Sequence, residues 1–293
     1  MRMTGGRKAG AAAALLAAAL GVATAAWADG EEPHVQILRQ PWSFAGVLGK
    51  FDQGQLQRGF KVYSEACSRC HGIKRIAFRN LVQPGGPAFE EGAIKSLAAD
   101  KYKVDAEPNE QGKVLKRPAI LADLIPPPFK NDQEARSAQP SGALPPDLSL
   151  IVRARSVESD TPFYMVPFSM LRDIVTSYQE SGADYLYAYL TGYKTPPGEV
   201  KVPDGMNYNE VFPKPHLTGM PNPFVAGDGL IKYDDGTPGT VDNYARDVTA
   251  FLAWAADPRL EERKRLGVLV LGYLFITALL LYFAKRRIWS RVH

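Results

Sequence analysis

The sequence has few cysteines and little excess charge. Only two cysteines occur among 293 residues, which excludes a small scaffold held together by several disulfides. Lysine and arginine exceed aspartate and glutamate by four, and this excess lies at the two ends of the chain, so a nucleic-acid-binding protein is not expected. Apolar residues make up 45% of the chain and charged residues 23%, which is typical of a folded globular domain rather than a disordered chain.

The first 28 residues contain neither an acidic residue nor a serine. Two arginines and a lysine come first, a run rich in alanine and leucine follows, and Ala26-Trp27-Ala28 ends the segment. This order is typical of a secretory signal peptide with an Ala-x-Ala cleavage site. A membrane anchor and an organellar transit peptide are the alternatives, but a transit peptide is amphipathic and rich in serine. We therefore predict that residues 1–28 are cleaved on export.

A second long stretch without charge lies near the C-terminus, at residues 266–284. At about 1.5 Å per residue, a helix of this length spans roughly 28 Å, close to the hydrocarbon core of a bilayer. A buried globular helix is the alternative, but basic residues flank both ends, and Tyr273, Tyr282 and Trp289 are spaced like interfacial aromatics. We predict a membrane anchor in contact with membrane lipid, followed by a short cytoplasmic tail, within residues 261–293.

An exported N-terminus places the intervening domain, residues 29–260, on the periplasmic side of the inner membrane. This domain has four more acidic than basic residues. A modest negative charge favours encounter with a basic partner. A solvated acidic surface without a partner explains the count equally well.

The two cysteines belong to a helical pattern that ends in a histidine. Apolar or half-apolar residues recur at spacings of three and four from Leu56 onward. Cys67, Cys70 and His71 therefore share one face of a predicted helix, and Gly72 is a natural stop. A Cys-x-x-Cys-His unit supplies two thiols for the two vinyl groups of haem and an adjacent imidazole for its iron. The motif predicts covalent attachment of one haem c.

Two other uses of a cysteine pair fit the sequence less well. A structural zinc site needs two further ligands at comparable spacing, whereas the chain has no third cysteine and His34, His216 and His293 are scattered. A thioredoxin-like redox pair favours a strand-to-helix setting and does not require the adjacent histidine. Haem c remains the better prediction.

A low-spin electron carrier needs a second axial ligand, and a thioether raises the reduction potential relative to imidazole. Met220 is the predicted ligand, because its loop contains a glycine and two prolines and has no helical periodicity that would give a methionine a packing role. His216 is the main competitor. The other candidates in the mature chain are Met165, Met170, Met206 and His34.

A set of longer motifs follows the chain in a fixed order. In that order they are Cys67-Ser68-Arg69-Cys70-His71, Gly142-Ala143-Leu144-Pro145-Pro146-Asp147-Leu148-Ser149, Ile151-Val152-Arg153-Ala154-Arg155, Asp184-Tyr185, Tyr189-Leu190-Thr191-Gly192-Tyr193, Met220, Phe251-Leu252-Ala253-Trp254-Ala255-Ala256-Asp257-Pro258 and the terminal anchor. The set resembles the cytochrome c1 family, the haem subunits of cytochrome bc1 complexes, in its alphaproteobacterial form. The resemblance covers nearly all of the mature chain, and the Leu-Pro-Pro-Asp-Leu-Ser run joined to Arg-Ala-Arg belongs to this family rather than to c-type cytochromes at large.

The resemblance assigns roles to the attachment and ligand residues. It implies thioether bonds from Cys67 and Cys70 to the haem, and iron ligation by His71 and Met220. Filling both axial positions removes the open site that peroxidase or oxygen chemistry requires. The chain is therefore expected to be no enzyme by itself.

The resemblance also assigns roles around the cofactor. Arg155 and Tyr185 would contact the haem propionates, since a guanidinium and a phenol can satisfy carboxylate oxygens in a partly buried site. Leu144, Pro145 and Pro146 would line the pocket, where prolines offer apolar surface without an amide N–H that needs a partner. Without the resemblance, Arg155 fits an exposed strand or turn.

The implied function is one-electron transfer from the Rieske iron–sulfur protein to a soluble periplasmic cytochrome c of the c2 type. The implied partners are cytochrome b and the Rieske protein, in a dimeric complex that oxidises quinol in respiration or photosynthesis. Two alternatives are a haem enzyme with a displaceable sixth ligand and a membrane-anchored carrier that serves another chain, such as an oxidase.

The expected fold is mainly α, a class I cytochrome c-like haem domain with loop insertions and one C-terminal transmembrane helix. Tyr244, Val248 and Ala255 repeat at helical spacing, which predicts a helix that Pro258 ends. The resemblance implies that this helix packs on the one that enters Cys67.

Two stretches between His71 and Met220 are interpreted as insertions. Residues 84–117 are charged and interrupted by glycine and proline, so they are predicted to form surface structure. Residues 156–177 contain several large apolar side chains, which fit either a packed lid or a patch that faces a partner.

Overall fold

The computed structural model describes residues 35–157, 161–198 and 200–290. The predicted signal peptide lies outside these residues. The chain divides into two units, residues 1–36 and 37–293, and every helix and strand given below belongs to the second unit.

The described residues are mainly helical, which confirms the expected fold class. Three short turns are helical but not α: a π-helical turn at Tyr63–Cys67 and 3₁₀ turns at Phe78–Val82 and Phe163–Met165. The α-helices are α1 (Gln53–Val62), α2 (Glu91–Lys101), α3 (Asp132–Ser137), α4 (Ile151–Ala154), α5 (Val166–Thr176), α6 (Ser181–Thr191), α7 (Val241–Ala256) and α8 (Leu260–Trp289).

Four short strands form two antiparallel pairs. Strand β1 (Lys103–Asp105) pairs with β2 (Lys116–Pro118), and β3 (Asn207–Tyr208) pairs with β4 (Leu217–Thr218). The first pair lies with α2 in the predicted insertion 84–117, where most side chains are exposed or half-buried and Ile94 and Ala98 join the core. The second pair ends at the loop that contains Met220.

Helices α1 and α7 form the centre of the core. The Asp52 carboxylate caps α1 by accepting a hydrogen bond from the Gln55 amide at 2.6 Å, and Thr240 caps α7 in the same way. The helices approach so closely that a Cβ at Gly59 would lie 2.1 Å from the Asp247 carbonyl oxygen. This packing confirms the contact expected between the helix before Cys67 and the helix before the anchor.

Helix α6 packs against α4 and α7. A Cβ at Gly182 would lie 1.8 Å from the carbonyl oxygen of Val152 in α4, so only glycine allows this approach. The buried Asp184 carboxylate accepts hydrogen bonds from the Gln40 amide, the Trp42 indole and the Tyr178 hydroxyl. These bonds fix α6 against the N-terminal segment of the domain.

Helix α5 lies in the predicted insertion 156–177 and buries none of its residues. Its main polar contact is an ion pair of 2.8 Å between Asp173 and Arg39, whose guanidinium also lies over the Tyr178 ring. Helix α5 is therefore not packed as a lid over the residues that the structure describes. Residues 158–160 of the insertion lie outside the described chain.

Helix α8 contains the predicted membrane anchor. It is 30 residues long, and the rest of the described chain buries no residue of its apolar stretch. At its start, the Lys264 ammonium donates to the carbonyl oxygens of Phe44 and Gly46, and Glu261 accepts from the Phe51 amide. These bonds attach the beginning of the candidate span to the N-terminal segment of the domain.

Candidate haem-binding site

A cavity of about 350 Å³ lies between α4, α6, α7 and the end of the π-helical turn. All the residues that the sequence assigned to the cofactor line it. They are Cys67, Cys70, His71, Leu144, Pro145, Pro146, Arg155, Tyr185 and Met220.

The π-helical turn ends at Cys67, and the turn that follows it brings Cys70 to the same cavity. The Ser68 amide donates to the Tyr63 carbonyl at 2.8 Å, five residues back, and the His71 amide returns to the Cys67 carbonyl at 2.9 Å. Cys67 is buried and Cys70 is half-buried, and both are free thiols. Burial raises the pKa of the Cys67 thiol to about 12. The sequence predicted a helix here but not its wider turn.

The His71 ring is held in one tautomer. Its Nδ1 lies 2.7 Å from the Pro146 carbonyl oxygen, and because a carbonyl only accepts, Nδ1 is the donor. This leaves the lone pair on Nε2. Burial lowers the pKa of His71, against the opposing effects of the Pro146 bond and of Asp147. A neutral imidazole with a fixed tautomer is the form that binds a metal ion.

The segment that contains Pro145 and Pro146 is attached to the chain that follows His71. The Leu148 amide donates to the Gly72 carbonyl at 2.8 Å. The Asp147 carboxylate accepts from the Lys74 amide through one oxygen and from the Ser149 amide through the other. These bonds hold the proline wall of the cavity next to His71.

Met220 lines the cavity at the end of a hydrogen-bonded loop. Its carbonyl accepts from the Tyr193 hydroxyl at 3.1 Å, and its amide donates to the Thr218 hydroxyl at 3.2 Å. The Thr218 hydroxyl in turn lies 2.8 Å from that of Tyr189 on α6. The loop backbone is therefore fixed to α6.

The competing ligands lie elsewhere. His216 is outside the cavity lining, and its Nδ1 bonds the Phe212 carbonyl at 2.6 Å. Met165 directly precedes α5 and Met170 lies within it, and both are exposed. Neither they nor Met206 line the cavity. His34 lies outside the described residues.

Arg155 and Tyr185 occupy the wall formed by α4 and α6. Arg155 is exposed and donates to the Ala154 carbonyl at 3.0 Å. It is the only lysine or arginine among the residues that line this cavity. Tyr185 is half-buried and stacks on Tyr189. The cavity thus combines apolar walls with one guanidinium.

Several lining residues received no role from the sequence. The Gln139 amide lies 3.6 Å from the Cys70 sulfur, and nothing in its local sequence indicates this contact. Tyr189 lies one turn after Tyr185, so the helical spacing of α6 could have identified it. Val248 and Leu252 could have been found from the same spacing on α7.

The donor set fits a covalently attached haem. Two thiols, three residues apart, lie at the end of a helical segment. The His71 imidazole has its Nε2 available, and the Met220 thioether lines the same largely apolar cavity. Among the described residues, no group of acidic, histidine or cysteine side chains forms an alternative metal site. The fold and the site define a membrane-anchored c-type haem protein.

The family follows from comparison with known proteins. Residues 42–292 match the model of the Cytochrome C1 family, and the chain belongs to this family. It is 42% identical to cytochrome c1 of Blastochloris viridis over 90% of this chain and 88% of that protein. It is 39% identical to cytochrome c1 of Rhodospirillum rubrum over 95% and 97% of the two chains.

A longer relative is also similar. Cytochrome b/c1 of Bradyrhizobium diazoefficiens is 48% identical over 86% of this chain. The chain spans only 35% of that relative's length.

Membership confirms the resemblance found in the sequence. Members of the family carry a covalently bound haem c and act in electron transfer as subunits of the bc1 complex, together with cytochrome b. The cofactor is therefore haem c, and the chain is a membrane-anchored electron-transfer subunit.

Proposed function

We propose that this chain transfers single electrons from the Rieske iron–sulfur protein to a soluble periplasmic cytochrome c, within a dimeric complex. When bound, haem supplies one site of reversible one-electron oxidation. The main support is that one cavity brings together the cysteine pair, His71 and Met220. In this role the chain is no enzyme by itself, because it makes and breaks no bonds in a substrate.

Each residue of the cavity has a task in this proposal. Cys67 and Cys70 would hold the haem through thioether bonds, and His71 Nε2 and the Met220 sulfur would bind its iron. The Pro146 carbonyl orients His71 and increases its basicity by accepting from Nδ1. The Thr218 and Tyr193 hydroxyls hold the Met220 backbone, which would keep its thioether in position at the cavity.

The remaining wall residues balance charge and exclude water. Arg155 and Tyr185 would satisfy the haem propionates, and the guanidinium would offset their negative charge. Leu144, Pro145 and Pro146 would keep water out of the cavity. A drier and more apolar site favours the ferrous state, which carries less positive charge at the iron.

Replacing Met220 tests the ligand assignment. Met220→Leu removes the thioether that favours ferrous iron, so we expect the midpoint potential to fall by about 0.1 V or more, part of the roughly 0.8 V range that axial ligands control. The measurement is a redox titration of the visible spectrum. Met170→Leu, on the exposed face of α5, is the matched control and should leave the potential unchanged.

Two results would overturn the ligand assignment. An unchanged potential in Met220→Leu, together with a shift in His216→Gln, would transfer the ligand to His216. Rapid binding of carbon monoxide by the reduced wild-type protein would indicate a displaceable sixth ligand and favour a haem enzyme over an electron carrier.

The topology is a further part of the proposal. We place residues 29–260 on the periplasmic side, after cleavage of residues 1–28, and residues 261–293 in the anchor and a cytoplasmic tail. Protease added to intact spheroplasts should release the haem-containing domain. Release only after the membrane is disrupted would place the domain in the cytoplasm.

A further inference from the structure

An open groove of about 1400 Å³ lies at the start of the anchor. Residues 47–50, residues 75–85, the segment from the end of α7 to the beginning of α8, and Leu150 line it. None of its lining residues lines the haem cavity. The groove is therefore separate from the electron-transfer site.

Four of the six basic residues that line the groove keep their charge available. Lys50, Arg75, Arg79 and Arg265 all line it and are exposed, and within the described chain none of them forms an ion pair. The Arg75 amide donates to the Ser149 hydroxyl at 3.1 Å, which fixes the backbone that carries this guanidinium.

The acidic residues of the groove are already engaged. Asp257 accepts from both Arg153 and Arg263 at 2.7 Å, and Glu261 accepts from the Phe51 amide at 3.0 Å. The third acid, Glu262, lies 3.9 Å from Arg259. Glu261 forms no ion pair among the described residues and keeps its negative charge. Six basic and three acidic residues line the groove, so its net charge is positive.

The groove continues onto apolar surface. Leu48, 81% exposed, lines it together with Val268 and Leu269, and Leu269 is 62% exposed. Val268 and Leu269 belong to the candidate membrane span. The basic residues and the apolar surface therefore meet where the helix enters the bilayer.

We propose that this groove binds one anionic phospholipid from the leaflet nearest the haem domain. Arg75 and Arg79 hold the phosphate through charge-assisted hydrogen bonds, and the acyl chains lie along Leu269 and the residues that follow it in α8. A free anion would use only the basic part of the groove, whereas a phospholipid satisfies both parts. The proposal depends on the anchor and is independent of the haem ligands.

The test measures lipid affinity of the full haem-containing chain in detergent. Native mass spectrometry follows the binding of phosphatidylglycerol and, separately, of phosphatidylcholine. The groove variant carries Arg75→Gln and Arg79→Gln. The matched control carries Lys113→Gln and Lys232→Gln, which removes the same charge at two exposed lysines outside the groove.

We expect the wild type to prefer phosphatidylglycerol and the groove variant to bind it roughly 30-fold more weakly. This factor corresponds to about 1 kcal/mol for each basic residue near the membrane surface. The control should bind as the wild type does, and Arg75→Lys with Arg79→Lys should recover most of the affinity. An unchanged haem spectrum verifies that each variant is folded.

Four results of the binding measurements would overturn the proposal. They are equal affinity of the wild type for both lipids, equal losses in the groove variant and the control, failure of the lysine pair to recover affinity, and full displacement of the lipid by millimolar inorganic phosphate. A photo-crosslinking residue at Leu48 in the purified complex shows whether the groove holds a phospholipid or a segment of cytochrome b. A crosslink to phospholipid supports the proposal, and a crosslink to cytochrome b alone overturns it in favour of a protein contact.

Discussion

Helices α5 and α6 have the same length but opposite environments. Each has 11 residues. Six residues of α6 are buried, whereas α5 buries none and exposes large apolar side chains along most of its length. The apolar content of a helix therefore does not decide its burial in this chain.

The difference lies in what each helix meets. Gly182 lets α6 approach the backbone of α4, and Asp184 receives three hydrogen bonds from outside the helix. Helix α5 is attached mainly through the exposed ion pair between Asp173 and Arg39, and such pairs contribute little to stability. Substitutions in the two helices should therefore have very different effects.

The largest difference in stability is expected between two variants that each truncate one leucine, one in α6 and one in α5. Leu190 in α6 is 5% exposed, and Leu171 in α5 is 58% exposed. Leu190→Ala should lower the free energy of unfolding by about 2–5 kcal/mol, and Leu171→Ala should change it by less than about 0.5 kcal/mol. Denaturant unfolding in the same detergent measures both. Equal losses would mean that α5 is as well packed as α6.

The close approach of α6 to α4 gives the next largest effect. A Cβ in Gly182→Ala would clash with the Val152 carbonyl oxygen, so we expect a loss of about 1–3 kcal/mol or more. Gly92→Ala in α2 is the control, because the only atom within 4 Å of its new Cβ would be a Glu90 carboxylate oxygen at 3.6 Å. That variant should gain up to about 1 kcal/mol. A gain in both variants would contradict the tight contact.

Local signals in the sequence predicted the attachment and ligand residues of the candidate haem site, whereas Leu144, Pro145, Pro146, Arg155 and Tyr185 were predicted only through the family resemblance. Cys67, Cys70 and His71 lie within one turn, so their spacing alone brings them to one face. Met220 was identified by the absence of helical periodicity around it. Gln139 could not be found, because its contact with Cys70 depends on how distant segments pack.

The sequence could not distinguish the environments of α5 and α6. Both segments are rich in apolar residues. For residues 156–177, which contain α5, the sequence left the choice between a packed lid and a partner-facing patch open. Tertiary contacts decide that α6 is buried: the Gly182 contact with α4 and the hydrogen bonds to Asp184. Neither is encoded in the periodicity of the helix itself.

The hydrogen bond at the junction of the two helices gives a smaller effect. The Tyr178 hydroxyl donates to the Asp184 carboxylate at 2.6 Å. Tyr178→Phe removes a bond to a charged group, so we expect a loss of about 1–2 kcal/mol. Tyr164→Phe is the matched control, because Tyr164 is exposed, and it should change the free energy of unfolding by less than about 0.5 kcal/mol.

The same pair of variants gives the smallest expected effect, a dependence on pH. Burial, followed by the bond to Asp184, raises the pKa of Tyr178, so the folded state holds this proton more tightly than the unfolded state does. The resulting stabilisation is complete below the ordinary tyrosine pKa of about 10 and is lost as the pH rises through the folded-state pKa. The stability difference between wild type and Tyr178→Phe should therefore be constant from neutral pH to about pH 9 and shrink at higher pH, while Tyr164→Phe shows no such trend. A difference that grows with pH would mean that the phenolate, and not the phenol, is favoured beside Asp184.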